Sequence, residues 1–116
     1  MATIIIADDD KTTNVMLTKI LEKAGHLIIS LPDGKRVMQT IKDENPDLLI
    51  TDIIMPEKEG IETIIETREI YSDLPIIAIS QNAEYLELAV SFDISEKLLK
   101  PISTEALLSA VDSALN

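Results

Sequence analysis

The spacing of apolar residues switches repeatedly along the chain between two periods. Thr3 to Ala7, TIIIA, is an almost unbroken apolar run, the pattern of a strand covered on both faces. Acids stop it at Asp8, and Leu17, Ile20, Leu21 and Ala24 then recur at i, i+3, i+4 and i+7. That spacing predicts the buried stripe of a helix, which Gly25 closes. HLIISL reads as a second strand, PDG at 32–34 as a turn, and Val37, Met38 and Ile41 as the inner side of a short helix. PDLLITD is a third strand, a helix from about Gly60 to Tyr71 carries Ile61, Ile64 and Ile65, and Pro75 opens the strand IIAIS. Leu86, Ala89 and Val90 mark a fourth helix, EKLLK a fifth strand, and Leu107, Leu108, Val111 and Leu115 a closing helix.

Five strands alternating with five helices through short connections predict an α/β three-layer sandwich: a parallel sheet with helices on both faces. In such sheets sites lie beyond the carboxyl ends of the strands, near the switch in strand order. Those ends carry Asp8 and Asp9 after strand one, Asp52 after strand three, Ser80 after strand four and Lys100 after strand five. Strand two ends in Leu31 and Pro32 and offers no evident chemistry.

Each residue also has a plain structural reading. Asp10 in the DDDK run is read only as a helix N-cap, Ser80 could cap the following helix, and Lys100 before Pro101 could be a solvated loop lysine. Asp52 resists such a reading because it ends the apolar run LLIT, where an unpartnered carboxylate is costly. Taken together, the rim would hold three carboxylates, a hydroxyl and an ammonium. Two carboxylates about 5 Å apart repel by roughly 3 kcal/mol at an effective dielectric of 20, so the cluster calls for a hard cation. Mg²⁺ suits oxygen ligands, and no calcium-type loop of alternating acids is present. A cation, a carboxylate nucleophile and two oxyanion-binding groups are the parts needed for phosphoryl transfer to an aspartate.

Composition narrows the picture further. The 116 residues have room for one domain, and a 46% apolar content suits a real core. No run reaches the length of a membrane span, and MATIIIADDD lacks the basic start of a signal peptide, so the expected location is cytoplasmic and away from membranes. A formal charge of −11 argues against direct nucleic-acid binding. There is no cysteine and a single histidine, His26, which leaves only oxygen ligands for a metal. The three glycines are scattered at 25, 34 and 60, with no glycine-rich nucleotide loop, so the phosphoryl donor would be another phosphorylated molecule.

The segments IIIADDD, PDLLITDIIMP with Gly60, IIAIS and LLKP resemble, in order and spacing, the CheY-like receiver domain of two-component response regulators, over essentially the whole chain. The resemblance implies one receiver domain over residues 1–116, with a flavodoxin-like five-stranded parallel sheet of order 2-1-3-4-5 and five helices. It implies that Asp52 accepts a phosphoryl group from a sensor histidine kinase or phosphotransfer protein. Asp9 would ligate Mg²⁺ directly, Asp8 mainly through water, and the Ile54 carbonyl and Asp52 would complete the protein ligands. Ser80 matches the switch hydroxyl, Lys100 the lysine that pairs with the phosphoryl oxygens, and Lys100 to Pro101 a peptide bond that is usually cis. A downstream effector protein or domain would read a face made of the fourth helix, fifth strand and last helix, through which dimers also form in the family. Such a domain is a signalling switch that promotes its own phosphotransfer and dephosphorylation rather than a metabolic enzyme. Ile54 and Asn82 match positions that flank the attacking water in hydrolysis of the acyl phosphate; Ile54 cannot orient that water, whereas Asn82 offers an amide.

Five positions depart from the family pattern. Lys97 stands where an aromatic usually rotates on phosphorylation, Ile102 replaces the aromatic after the Lys-Pro pair, Gln81 replaces a small residue, and Asp93-Ile94 stands where Gly-Ala is common. Without the aromatic, the signal is expected to pass through the segment from Gln81 to Glu84 and the helix after it. Three other readings compete. A haloacid-dehalogenase-type phosphatase would place its nucleophile in an Asp-x-Asp pair after the first strand. A flavin carrier would need more than three aromatics and a phosphate loop. A receiver fold kept only as scaffold would take up no phosphoryl group.

Overall fold

The computed structural model describes residues 1–55 and 60–116; Pro56 of the third-strand motif lies outside the described residues. Strands β1 (Thr3–Ala7), β2 (Leu27–Leu31), β3 (Leu48–Asp52), β4 (Ile76–Ser80) and β5 (Glu96–Leu99) alternate with helices α1 (Lys11–Lys23), α2 (Val37–Glu44), α3 (Gly60–Ile70), α4 (Ala83–Val90) and α5 (Thr104–Leu115). The strands form one parallel sheet in the order β2-β1-β3-β4-β5. This is the flavodoxin-like fold, and the strand order reverses between β1 and β3.

The alternation of side chains along a strand explains why the central strands are apolar throughout. Ile4 and Ile6 of β1 point into one core with Leu17 and Leu21 of α1 and Leu107, Ala110 and Val111 of α5. Ile5 and Ala7 point into the other, with Val37 and Ile41 of α2, Ile64 of α3, and Leu86 and Ala89 of α4. A strand covered on both faces has no position left for a polar side chain except at its ends. Every residue of β3 and β4 is buried, including Asp52 and Ser80.

Helix ends follow local chemistry. The carboxylate of Asp10 caps α1, accepting from the Thr12 N–H at 3.2 Å and the Thr13 hydroxyl at 2.8 Å. Gly25 follows α1 with φ 99°, a conformation that suits glycine. Asn45 ends α2 with φ 46° just before Pro46. Three residues expected in the helical stripes, Ala24, Val90 and Leu108, are exposed. Ala24 is the C-cap, one residue past α1, Val90 is the last residue of α4, and Leu108 stands one position off the buried Leu107–Val111 line of α5. The buried places on α1 and α3 go instead to the polar residues Asn14, Thr63 and Thr67.

At the amino-terminal edge of the sheet Arg68 joins two loops. The carbonyls of Tyr71, Ser72 and Leu74 gather around its Nη1 at 3.0, 2.9 and 2.9 Å, and Nη2 donates to the Asp93 carbonyl at 2.8 Å. Asp93, which stands where the resemblance implies glycine, has φ 60°, a left-handed conformation that glycine adopts more readily. Arg68→Ala is expected to lower the unfolding free energy by about 2–3 kcal/mol, measured by urea titration, and Arg68→Lys to recover little of it because an ammonium cannot fill a forked site. A loss within measurement error would show that the clamp is not stabilising.

Candidate functional site

The sheet order determines which residues meet. The β1/β3 register ends at Ala7 opposite Thr51, β3/β4 at Asp52 opposite Ile79, and β4/β5 at Ser80 opposite Leu99. One step beyond these pairs, Asp8, Asp52, Ser80 and Lys100 stand along the carboxyl rim. Parallel strands lie about 4.8 Å apart, so β5 sits roughly 10 Å from β3. Only a long side chain starting on β5 can reach the carboxylates, and only a small one on β4 lets it pass. Lys100 and Ser80 meet both demands.

Lys100 Nζ hydrogen-bonds Asp52 Oδ2 at 2.8 Å and stands 2.9 Å from Asp8 Oδ2. The lysine side chain is only 8% exposed, so the reading of a solvated loop lysine does not hold. Its backbone N–H donates to the Ser80 carbonyl at 2.8 Å, and the Lys100-Pro101 peptide is cis. Asp52 Oδ1 accepts from the Ile54 N–H at 3.1 Å. Each oxygen of Asp52 thus has one directed partner and keeps a further lone pair. Asp8 Oδ1 accepts from the Asp10 N–H at 2.9 Å, while Oδ2 is buried without a well-directed hydrogen bond.

Asp9, Asp52, Ile54, Ser80, Gln81 and Lys100 line a cavity of about 240 Å³, together with Asp10. Ligand oxygens of Asp8, Asp9 and Asp52 all lie within 4.8 Å of one another, with Asp8 and Asp52 buried and Asp9 exposed. An all-oxygen set with one underused buried carboxylate oxygen fits a hard divalent cation such as Mg²⁺.

Two expectations change in detail. Ser80 does not cap α4; its hydroxyl accepts from the Asn82 N–H at 3.0 Å. Asn82 is the cap, its side-chain oxygen accepting from Glu84 and Tyr85 at 2.9 and 3.2 Å, so that oxygen is committed to the helix and Gln81, not Asn82, borders the cavity. Strand β2 is also more than a bystander, because the Leu31 carbonyl accepts from the Asp8 N–H at 3.2 Å.

Burial pushes the Asp8 carboxyl up from 3.8 to about 6. The Asp10 N–H and the Lys100 contact oppose the rise, and the neighbouring Asp52 charge adds to it. Burial pulls Lys100 down, but its contacts with Asp52 and Asp8 outweigh that and hold it above its ordinary value. The Thr13 hydroxyl, with the Thr12 and Thr13 backbone N–H groups, holds Asp10 below the usual carboxylate range.

A response regulator receiver domain model matches residues 4–112, and the chain belongs to that family of two-component signalling domains. It is 35% identical over 117 residues to the DNA-binding transcriptional regulator NtrC of Azospirillum brasilense, covering 99% of this chain and 24% of NtrC. Over 80 residues it is 39% identical to the response regulator receiver protein CpdR of Brucella abortus, covering 69% of this chain and 67% of CpdR. The receiver domain protein structure from Clostridium thermocellum shares the fold with a TM-score of 0.92 at 23% identity, over 100% of this chain and 95% of that one. The chain therefore spans about a quarter of NtrC's length. Among the described residues no helix is long and apolar enough to cross a membrane.

Two predictions follow from the geometry. A folded-state pKa raised above the unfolded value means that the native state holds the extra proton. The stability this gives is full below about pH 3.8 and lost as pH rises through about 6. Urea titrations without divalent cations should show this loss in the unmodified protein and not in Asp8→Asn; parallel pH profiles would refute it. A Cβ on Gly60 would lie 1.8 Å from the Asp52 carbonyl oxygen and 2.7 Å from Ile53 Cα, both backbone atoms that cannot swing aside. Gly60→Ala should therefore cost about 3 kcal/mol or more of stability, and a near-neutral melt would contradict this close approach.

Proposed function

We propose that the chain is a phosphorylation-dependent switch in a two-component phosphorelay, with Asp52 accepting a phosphoryl group from a sensor histidine kinase or phosphotransfer protein. The observation that carries this reading is the Lys100 ammonium lying between the Asp8 and Asp52 carboxylates, 2.9 and 2.8 Å from them. A carboxylate nucleophile, a cation-holding pair and an oxyanion partner meet there at one cavity.

In this mechanism an Asp52 oxygen attacks the phosphorus of a phosphohistidine in line with the P–N bond. The P–O bond forms as P–N breaks, and the histidine leaves with the bonding pair and takes up a proton. Asp8, Asp9 and Asp52, with the Ile54 carbonyl, would hold Mg²⁺, which when bound neutralises charge on the transferring oxygens. Lys100 moves its hydrogen bond from the carboxylate to a phosphoryl oxygen. The Ser80 hydroxyl, now an acceptor for the Asn82 N–H, turns to donate to another. The Asn82 oxygen stays with its helix and does not orient the water that ends the signal, so hydrolysis is slow.

Transmission runs through α4. Lys97 pairs with Glu87 of α4 and its side chain is 42% exposed, so it remains in solvent and does not take the inward place of an aromatic; burying its ammonium there would be costly. Ile102 is already part of the core beside Leu107. Displacement of Ser80 therefore acts on the Asn82 N-cap and on α4, altering a face of α4, β5 and α5 that an effector protein or domain, or a second copy, would read.

Incubation with a phosphoramidate donor and Mg²⁺ should add one phosphoryl group at Asp52, found by mass spectrometry and absent in Asp52→Asn. No uptake would leave the site as scaffold. With beryllofluoride in place of phosphate, hydrogen exchange should change over residues 81–93; a response confined to the surroundings of Asp52 would reject transmission through α4.

A further inference from the structure

Asn14, on the first turn of α1, is 6% exposed. Its Nδ2 donates to the Asp8 carbonyl at 3.0 Å and the Leu31 carbonyl at 2.9 Å, and its Oδ1 accepts from the Ser30 and Thr18 hydroxyls. A primary amide has two donors and one oxygen with two lone pairs, so the group is saturated. One side chain thereby joins the end of β1, the end of β2 and the body of α1.

The consequence falls on Asp8. Its N–H is bound by the Leu31 carbonyl at 3.2 Å and its carbonyl by Asn14. The β1/β3 register stops one residue earlier, at Ala7 opposite Thr51, so the lateral position of Asp8 is set from the β2 side. Asp8 carries the buried Oδ2 that lacks a directed hydrogen bond, and Asp9 follows it directly. Mg²⁺ demands near-octahedral ligands at about 2.1 Å, so a backbone shift of a few tenths of an ångström at Asp8 would spoil the set.

We propose that Asn14 is a positioning residue for the divalent-cation site: by locking the Asp8 backbone to α1 and to the edge strand β2, it keeps Asp8 and Asp9 in place relative to Asp52. Ser30 acts behind it, fixing the orientation of the amide through Oδ1. The inference rests on the reading of Asp8, Asp9 and Asp52 as the cation site. A merely structural Asn14 would lower stability and leave the affinity of the folded protein for Mg²⁺ unchanged.

Calorimetric titration of the full chain with MgCl₂, without any phosphoryl donor, separates the two. Asn14→Ala should bind Mg²⁺ about tenfold or more weakly, in line with other partners that orient metal ligands, and Ser30→Ala should weaken it by a smaller factor. Hydrogen exchange of the Asp8 and Asp10 amides in the metal-free Asn14→Ala protein should be faster than in the unmodified chain. Thr67→Ala, a buried polar change on α3, serves as the control that loses stability while keeping Mg²⁺ affinity. Unchanged affinity in folded Asn14→Ala overturns the proposal; if that variant does not fold, unchanged affinity in Ser30→Ala does so. If the unmodified chain binds no Mg²⁺ at tens of millimolar, the cation-site reading itself fails, and this inference falls with it.

Discussion

Among the described residues the site is organised around the ammonium of Lys100. Asp8 and Asp52 end adjacent strands and are both buried, which at ordinary pH would place two like charges in a poorly solvated rim. Lys100 answers that charge from two strands away, and its own burial is sustained by the same two contacts. The requirement spreads outward from there. Residue 80 must be small for the lysine to cross β4, and α3 must start close under the Asp52 carbonyl, where only a glycine fits. A divalent cation bound by Asp8, Asp9 and Asp52, as proposed, would enter a rim whose repulsion is already partly answered.

The proposed phosphotransfer would give the site two electrostatic regimes. Without a cation the lysine serves the carboxylates. In the proposed phosphotransfer the lysine would turn to the phosphoryl oxygens, and Asp8, Asp9 and Asp52 would hold a cation that answers the carboxylate charge. A buried ion pair is weak support for stability in general, and here its placement fixes where the Asp52 carboxylate stands beneath the cavity.

Much of this was legible in the residue pattern, and the failures share a cause. The apolar runs TIIIA, LLITD and IIAIS announced strands covered on both faces because no polar residue can be afforded there, and Asp52 stood out for the same reason. The strand-end residues could be brought together because a parallel sheet aligns every carboxyl end on one side. Asn14, Thr63 and Thr67 were missed because a hydrophobicity pattern assigns polar residues to the surface, whereas these are buried and, in the case of Asn14, fully hydrogen-bonded. Ala24, Val90 and Leu108 were expected inside because they continue a helical stripe, but the first two fall where their helices end and Leu108 stands beside the buried line of α5. Asn82 looked like a site residue by position, yet the start of α4 needed its oxygen more.

Leu31 supplies the site with a carbonyl oxygen, shared by the Asp8 N–H and the Asn14 amide. Every amino acid carries that atom, so this contact depends on the path of the chain and not on the Leu31 side chain. The Leu31 side chain answers a separate demand, packing against the core on the other side of the strand from that contact. That backbone contribution is legible only through the side chains that hold it, Asn14 of α1 and, through the Asn14 amide, Ser30 of β2 itself.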